Sequence, residues 1–366
     1  MKKTGSVINV LCFSLFIAVF AALLVFSPDK DASPQENRML ARLPAFSFSE
    51  LFSGRFTRDF ESWITDQFPF RDSWISLKSR AERLSGKTEN NNVFFASDDT
   101  LITRFPEPDM SVVDANIAAV RALGEYAEVY LSLIPTAADI WSDRLPAHAD
   151  TADQRALTEY IYHACGVNTV DTRSALYAHR GEYVFYRTDH HWTTLGAYYG
   201  YTALCSAMGL EPAGSYTPRV VSDSFYGTVY SSSGVRWVKP DTIELFVPAE
   251  GVSVTDFNGG EHEGTVYDMS KLDGKDKYAV FFGGNTPRMI IDAGGECGEL
   301  LLLRDSYSDC ELPFLFAHFS RIHVLDLRYY RMSVRDYIAD NGIDTVLVNY
   351  GLSSFCTDLS PVLMGM

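Results

Sequence analysis

The heptapeptide R-T-D-H-H-W-T at positions 187–193 contains the residue types that acid–base catalysis requires. Side chains at positions i and i+2 of an extended loop project to the same side, so Asp189 can orient the ring of His191. Far along the chain, the apolar run 300–303 leads to Ser306. A carboxylate, an imidazole and a hydroxyl on two segments are the components of a serine nucleophile.

Both segments have alternative interpretations. Ser306 and the preceding Asp305 could cap a helix, because Ser and Asp are common helix caps. Asp189 could likewise cap the helix that follows it, and His190 and His191 could be structural. A metal site made of Asp189, His190 and His191 is disfavoured, because adjacent histidines point in different directions. No second cluster of His, Asp or Glu has the spacing of metal ligands. We therefore predict no metal and no other cofactor.

The elements that position these residues follow from the hydrophobic pattern after about Ser111. The predicted helices cover residues 112–126, 155–165, 194–208 and 313–318, with another starting at 333. The predicted strands cover residues 129–134, 167–171, 278–282, 300–303, 322–327 and 344–349. This alternation predicts a parallel sheet covered by helices on both faces. Ligands bind beyond the carboxyl ends of such strands, and Ser306 falls at such an end.

Other residues are candidates for binding the oxyanion or the substrate. Backbone amides near Tyr307, helped by the side chain of Asn285, could stabilise an oxyanion. Asn285 follows two glycines after a predicted strand, where an ordinary tight turn is the alternative. Arg304 and Arg328 could bind substrate or serve as packing and surface groups. Trp192, next to His191, is a further candidate for substrate binding.

Composition limits the class of protein. The chain has 366 residues, 46% of them hydrophobic, enough for one large domain or two small ones. Its net charge of −16 argues against a nucleic-acid partner, since such binding needs a basic face. The six cysteines are widely spaced, and several are expected to be free and buried. Residues 227–264 have short alternating runs that predict inserted β-hairpins.

The N-terminus predicts a membrane anchor. Residues 7–26 form an apolar run interrupted only by Asn9 and Ser14, which suits a bilayer-spanning helix better than the short core of a cleaved signal peptide. Lys2 and Lys3 favour a cytoplasmic N-terminus, with the rest of the chain outside. A cleaved signal peptide, and hence secretion, is the main alternative. A linker with helical spacing at 48–83 follows, so residues 27–90 are predicted to form a juxtamembrane segment.

At this point the motifs resemble a known family. Asp189-His190-His191-Trp192 is the motif that names the bacterial DHHW protein family, and it is similar to the T-D-x-H-W-T motif of alginate O-acetyltransferases. Three further segments resemble elements of that second family: Glu36-Asn37-Arg38, Asp66-Gln67-Phe68-Pro69-Phe70-Arg71 and Arg304-Asp305-Ser306-Tyr307. The serine follows the Asp/His block, which is the order of the acetyltransferase-like members.

The resemblance implies a three-layer α/β/α, SGNH-hydrolase-like domain over residues 91–366, with a flavodoxin-like parallel sheet and a β-rich insertion at about 215–270. It implies Ser306 as nucleophile, His191 as base and Asp189 as the residue that orients the base. It also implies an O-acetyltransferase that modifies a polysaccharide outside the membrane, with acyl groups delivered by a membrane-bound O-acyltransferase-type partner. An esterase with the same triad, or a non-catalytic glycan-binding or assembly protein, is the alternative.

Overall fold

The computed structural model of the chain describes residues 2–33, 35–36, 38–214 and 216–365, with side chains from Val7 onwards. It divides into two compact units. The first contains the residues up to Lys87 together with Gly234–Arg236, and the second contains the rest. The predicted boundaries at residues 26 and 90 stay a prediction.

The first unit begins with one long apolar helix, α1, from Lys2 to Phe26. Within it, Val7–Phe26 has a mean hydropathy of 2.7 and is long enough to cross a bilayer. The helix is therefore compatible with a single-pass anchor or a signal sequence, as predicted. Its orientation in the membrane stays a prediction.

Three shorter helices follow in the first unit, so the helical prediction for residues 48–83 is confirmed. They are α2 (Phe48–Phe52), α3 (Arg55–Gln67) and α4 (Arg71–Leu84), after a two-stranded antiparallel pair of β1 (Ala32–Ser33) and β2 (Arg38–Met39). The helices are separated where Gly54 and Phe70 adopt left-handed backbone conformations. Pro34 and Asn37 of the predicted linker lie outside the described residues.

Two of the family-like segments bind each other inside this unit. The guanidinium of Arg38 lies 2.5 Å from the carboxylate of Asp66, and Arg71 lies 2.7 Å from Glu36. The Arg38 guanidinium lowers the pKa of Asp66 to about 2. These ion pairs give the E-N-R and D-x-F-P-x-R segments a structural role.

The second unit is built on an eight-stranded mixed sheet. Its strands are β6 (Glu128–Ile134), β7 (Asn168–Val170), β10 (Ser253–Asp256), β11 (His262–Glu263), β12 (Arg288–Asp292), β13 (Glu299–Arg304), β14 (Arg321–Leu325) and β15 (Thr345–Gly351). They lie in the order β11-β10-β12-β14-β13-β15-β6-β7. The five strands from β14 to β7 are parallel, and β12, β10 and β11 are antiparallel. The predicted three-layer α/β class with a largely parallel sheet is confirmed.

The remaining elements of this unit cover the sheet or lie beside it. The helices are α5 (Met110–Leu123), α6 (Ala137–Ile140), α7 (Gln154–Cys165), α8 (Thr172–Ala178), α9 (Thr194–Met208), α10 (Thr228–Ser233), α11 (Val334–Asn341) and α12 (Leu352–Thr357). Two smaller antiparallel sheets contain β3 (Glu89–Asn90), β4 (Val93–Phe95) and β5 (Leu101–Thr103), and β8 (Arg219–Phe225) with β9 (Asp241–Leu245). The predicted helix 194–208 is confirmed.

Strand β13 explains how the site reaches the sheet rim. Leu300 and Leu302 belong to one hydrophobic core, and Leu301 and Leu303 belong to the other. All four side chains are fully buried, because helices cover both faces of the sheet. A central strand of this kind delivers the following residues to a rigid position at its carboxyl end.

Two predicted elements were wrong. Residues 278–282 do not form a strand: Lys277–Val280 is a 3-10 turn, and left-handed backbone conformations from Phe282 to Gly284 prevent an extended path. Residues 312–317 form a 3-10 turn instead of an α-helix. The predicted β-hairpins of residues 227–264 are confirmed in part: β10 and β11 form an antiparallel hairpin that extends the main sheet, whereas residues 228–233 form α10. Short apolar runs fit several conformations, and tertiary packing chooses among them.

Candidate active site

The structure brings the three predicted side chains together at the carboxyl end of β13. Ser306 is the first residue of a 3-10 turn that follows this strand. Its hydroxyl oxygen lies 2.8 Å from Nε2 of His191. On the other side of the imidazole, Nδ1 lies 2.6 Å from Oδ1 of Asp189. The three groups therefore form one continuous chain of hydrogen bonds.

The carboxylate of Asp189 is buried and has four hydrogen-bond donors. Oδ1 also accepts from the amide of His191 at 3.0 Å, and Oδ2 accepts from the amide and the hydroxyl of Thr228 at 2.7 and 3.0 Å. Burial alone would raise the pKa of Asp189, but His190, His191 and these donors hold it well below its usual range. Because this carboxylate is ionised, Nδ1 of His191 carries the proton and Nε2 faces Ser306 as an acceptor.

A second buried carboxylate holds the loop that carries Asp189. Asp241 accepts from the amide of Arg187 at 2.9 Å, and from the amide and the hydroxyl of Thr188 at 2.8 and 2.5 Å. Helix α9 is capped by Thr193, whose hydroxyl accepts from Gly196. The alternative in which Asp189 caps this helix is therefore wrong.

Aromatic packing fixes the plane of the imidazole. The ring of Tyr278 stacks on His191 with centroids 4.0 Å apart and an angle of 8°. The hydroxyl of Tyr278 donates to the carbonyl of Ser306 at 3.0 Å. Sequence reasoning missed both Tyr278 and Thr228, because neither lies in a motif and no local pattern places either beside Asp189 or His191.

The capping interpretation holds for Asp305 and not for Ser306. One carboxylate oxygen of Asp305 accepts from the amide of Tyr307 at 3.0 Å, and the other accepts from the amide of Gly351 at 3.0 Å. The Tyr307 amide is thus occupied, which argues against its predicted role as an oxyanion donor. The Tyr307 hydroxyl donates to the carbonyl of His190. Burial raises the pKa of Asp305.

The predicted substrate-binding residues differ in accessibility. Arg304 is fully buried and lies 2.7 Å from Asp309, so it belongs to the core under the site. The indole of Trp192 is also fully buried, and its nitrogen donates to the carbonyl of Tyr307 at 2.8 Å. A substrate would therefore reach neither Arg304 nor Trp192.

Arg328 and Asn285 are more accessible. Arg328 pairs with the buried Asp326 at 2.6 Å, and its own side chain is 30% exposed. The side-chain oxygen of Asn285 accepts from Arg304 at 3.3 Å and from Arg328 at 3.1 Å. This leaves the amide nitrogen of Asn285 as the donor for any ligand. Its role at an oxyanion stays a prediction.

His190 occupies the exposed side of the site. Its ring nitrogen Nδ1 lies 2.7 Å from the hydroxyl of Thr228. Potential ligand atoms of Asp189, His190 and His191 lie within 4.8 Å of one another. However, Nδ1 of each histidine already has a hydrogen-bond partner, to Thr228 and to Asp189 respectively. The prediction of no metal therefore stays as it was.

A groove of about 430 Å³ opens beside Asp189 and His190. Its lining combines residues that follow the carboxyl ends of several strands with residues of the DHHW loop, positions 189–192. Among the lining residues are Thr103, Phe105, Thr136, His190, Thr228, Tyr307, Ser353 and Ser354. A concave site with a few convergent polar groups and aromatic rings is typical of small-ligand binding. This mixture of hydroxyl, imidazole and aromatic groups suits a polar organic ligand.

Gly227 makes the contact between Asp189 and Thr228 possible. A Cβ atom at this position would lie 2.2 Å from Oδ2 of Asp189 and 2.3 Å from its Cβ. We expect Gly227→Ala to displace the carboxylate and to reduce the rate of any reaction at Ser306 by about 100-fold, since a displacement of about 1 Å has that effect. Esterolysis of an activated acetyl ester would measure it. Gly181→Ala, where a Cβ meets open space, is the matched control and should change nothing.

Glu311 provides a pH-dependent stability prediction. It is buried next to Asn349, and burial raises its pKa from 4.5 to about 8. Between these values the folded state binds the proton that the unfolded state releases, so stability falls as pH rises, with a contribution of about 1.4 kcal/mol per pH unit. We expect Glu311→Gln to remove this slope. Melting curves of both proteins from pH 5 to pH 8 test it, and parallel curves would contradict it.

At the carboxyl end of a strand of this α/β fold, hydrogen bonds join a hydroxyl, an imidazole and a carboxylate, which is the arrangement of groups that a serine nucleophile requires. The chain is a member of the DHHW protein family, whose match covers residues 105–325. None of the curated proteins matches it.

Solved structures share this fold. A DHHW family protein from Eubacterium siraeum is 25% identical with a TM-score of 0.65, and the match covers 75% of this chain and 95% of that one. PatB1 from Bacillus cereus is 22% identical with a TM-score of 0.62, over 73% of this chain and 98% of that one. PatB1 has also been solved with a sulfonyl adduct, at 21% identity and a TM-score of 0.61 over the same shares. The likeness to PatB1 shows a common fold.

Proposed function

We propose that the protein is an O-acyltransferase that acetylates a polysaccharide outside the cell membrane through an acyl-Ser306 intermediate. The observation that carries this proposal is the chain of hydrogen bonds from Asp189 through His191 to Ser306, at 2.6 and 2.8 Å. The motifs that resemble those of alginate O-acetyltransferases support the choice of acyl transfer to a glycan.

In the first half-reaction, Nε2 of His191 takes the proton of the Ser306 hydroxyl as Oγ attacks the carbonyl carbon of the acyl donor. Asp189 accepts the Nδ1 proton in a hydrogen bond and stabilises the imidazolium. The tetrahedral intermediate collapses to the acyl-serine, and His191 returns its proton to the leaving group. Backbone donors near Ser306 and the amide nitrogen of Asn285 would stabilise the oxyanion.

In the second half-reaction, a sugar hydroxyl approaches Ser306 and gives its proton to Nε2 of His191. Its oxygen attacks the acyl carbon, and Ser306 leaves with the proton from His191. The product is a sugar ester and the free enzyme. The polar and aromatic lining of the groove, which includes Thr136 and Tyr307, supports a carbohydrate acceptor.

The N-terminal helix supports a site near a membrane. Helix α1 would anchor the chain, and Lys2 and Lys3 favour a catalytic unit on the outer side. Acyl groups would then arrive through a membrane-bound O-acyltransferase-type partner, because soluble acyl-CoA is a cytoplasmic donor.

An acyl-transfer assay tests the proposal and separates it from its alternatives. The protein is incubated with p-nitrophenyl acetate, with and without a short oligosaccharide, and the Ser306 peptide is examined by mass spectrometry. We expect acetyl-Ser306 that disappears faster when the oligosaccharide is present, together with acetylated sugar. Release of acetate at one rate regardless of sugar would indicate an esterase. Absence of acetyl-Ser306, and of labelling by a sulfonyl fluoride, would indicate a non-catalytic protein.

A further inference from the structure

One side of α4 carries a continuous apolar stripe that is exposed. Phe70 at its N-cap, Trp74, Leu77, Ala81 and Leu84 recur at spacings of three and four residues, which places them on one face of the helix. Phe70 is 66%, Leu77 56% and Leu84 89% exposed. Single exposed apolar residues are ordinary, but a contiguous stripe marks a surface that contacts something else.

This stripe is not the face by which the helix folds. Ser79, on the opposite side of α4, is 1% exposed, so that side is already covered. Lys78 lies at the margin of the stripe, and its side chain is 70% exposed, with Glu82 at 4.0 Å. An apolar face bordered by a basic side chain is the pattern of helices that lie in a membrane interface.

A contact with α1 indicates what covers the stripe. The ring of Phe20 lies 5.5 Å from the ring of Phe68 and 5.9 Å from that of Trp74. Phe20 is six residues before the end of the apolar segment Val7–Phe26, which is about 9 Å along a helix. If α1 crosses a bilayer with Phe26 near its surface, then Phe20 lies in the hydrocarbon. The ring of Trp74, 5.9 Å from that of Phe20, then lies near the boundary between headgroups and acyl chains, where interfacial helices bury their apolar face.

The charge of this part of the chain is compatible with such a position. Residues 27–87 contain ten Lys and Arg against nine Asp and Glu, whereas the whole chain carries a net charge of −16. The excess of negative charge therefore lies elsewhere, and this segment is not repelled by the anionic lipids of a membrane surface.

We propose that α4 is a membrane-interface helix, whose stripe of Phe70, Trp74, Leu77, Ala81 and Leu84 lies in the bilayer that α1 crosses. The partner is a lipid surface, and the contact is independent of the chemistry at Ser306. Interfacial helices bury their apolar face about 5–10 Å into the boundary between headgroups and acyl chains. The contact would attach the first unit to the membrane at a second point besides α1.

Quenching of tryptophan fluorescence by brominated lipids tests this proposal on the full chain. The protein is reconstituted in phosphatidylcholine–phosphatidylglycerol vesicles whose acyl chains carry bromine on shallow or on deep carbons. Subtracting the fluorescence emission of the Trp74→Phe variant from that of the wild type gives the emission of Trp74 alone. We expect this difference to lose most of its intensity with shallow bromine and less with deep bromine. Trp237→Phe, in the second unit, is the control: the Trp74 emission that shallow bromine quenches should still be present in this variant.

A second variant keeps the test independent of how Trp74→Phe folds. Leu77→Glu retains Trp74 and introduces a charge into the stripe, so we expect markedly weaker quenching by shallow bromine. A Trp74 emission that neither lipid quenches would overturn the proposal and would point to a protein as the occupant of the stripe. Equal quenching in the wild type and in Leu77→Glu would also overturn it.

Discussion

Replacing Ser306 with alanine is expected to reduce acyl transfer by a factor on the order of 10⁴ to 10⁶. Removal of a serine nucleophile has this effect because the covalent pathway is lost and only binding and oxyanion stabilisation remain. The hydroxyl of Ser306 lies 2.8 Å from Nε2 of His191, so it is positioned for activation by a general base. The initial rate of p-nitrophenol release and the mass of the Ser306 peptide measure the loss.

Ser308 provides a matched control in the same 3-10 turn. Its buried hydroxyl donates to the carbonyl of Asn349 at 3.1 Å and accepts from the side chain of Asn349 at 3.0 Å. We expect Ser308→Ala to cost about 2 kcal/mol of stability, because two buried hydrogen bonds of about 1 kcal/mol each are lost, and to leave the chemical step in place. A Ser306→Ala protein that still acylates at the wild-type rate would exclude Ser306 as the nucleophile.

Asp189→Asn is expected to lower the acylation rate by a factor on the order of 10⁴. The carboxylate accepts the Nδ1 proton of His191 at 2.6 Å, and its pKa is held well below the usual range, so it remains ionised at neutral pH. A neutral amide removes the charge that stabilises the imidazolium. Its NH₂ group would also donate to Nδ1 and favour the tautomer that places the proton on Nε2. That tautomer cannot take the proton of Ser306.

Thr228→Val tests whether the effect of Asp189→Asn comes from losing the charge of the carboxylate or from displacing it. The Thr228 hydroxyl donates to Oδ2 of Asp189 at 3.0 Å, while the Thr228 amide donates to the same oxygen at 2.7 Å. Valine removes the first bond and keeps the second, so we expect only about a tenfold loss, with the carboxylate still ionised. Rates and melting temperatures of both variants make the comparison. Equal losses in Asp189→Asn and Thr228→Val would mean that the charge of Asp189 has no part in the reaction.

The amino-acid sequence determined much of the fold, because local patterns carried the information. The buried run before Ser306 predicted the central strand β13, and the spacing of apolar residues after Thr193 predicted α9. The order of strands and helices predicted the α/β class. The i, i+2 spacing of Asp189 and His191 predicted that the carboxylate could orient the ring, and these side chains are in contact.

Other features depended on contacts between residues that are distant in the chain. Thr228 and Tyr278 surround Asp189 and His191 only because the chain returns to the DHHW loop from two later segments, and no pattern of neighbouring residues encodes such a return. The burial of Arg304 and of Trp192 depended in the same way on the layers that pack over them.

The sequence by itself thus determined which residue types could do chemistry and which regular elements would carry them, since periodicity and motif spacing are local properties. The tertiary structure alone decided which atoms meet. In the folded chain the Tyr307 amide donates to Asp305, and the Tyr278 ring stacks on His191. The same folding brings to Asp189 the donors that keep it ionised. The physical reason is that hydrogen bonds and burial act over a few ångströms in space, whatever the separation along the chain.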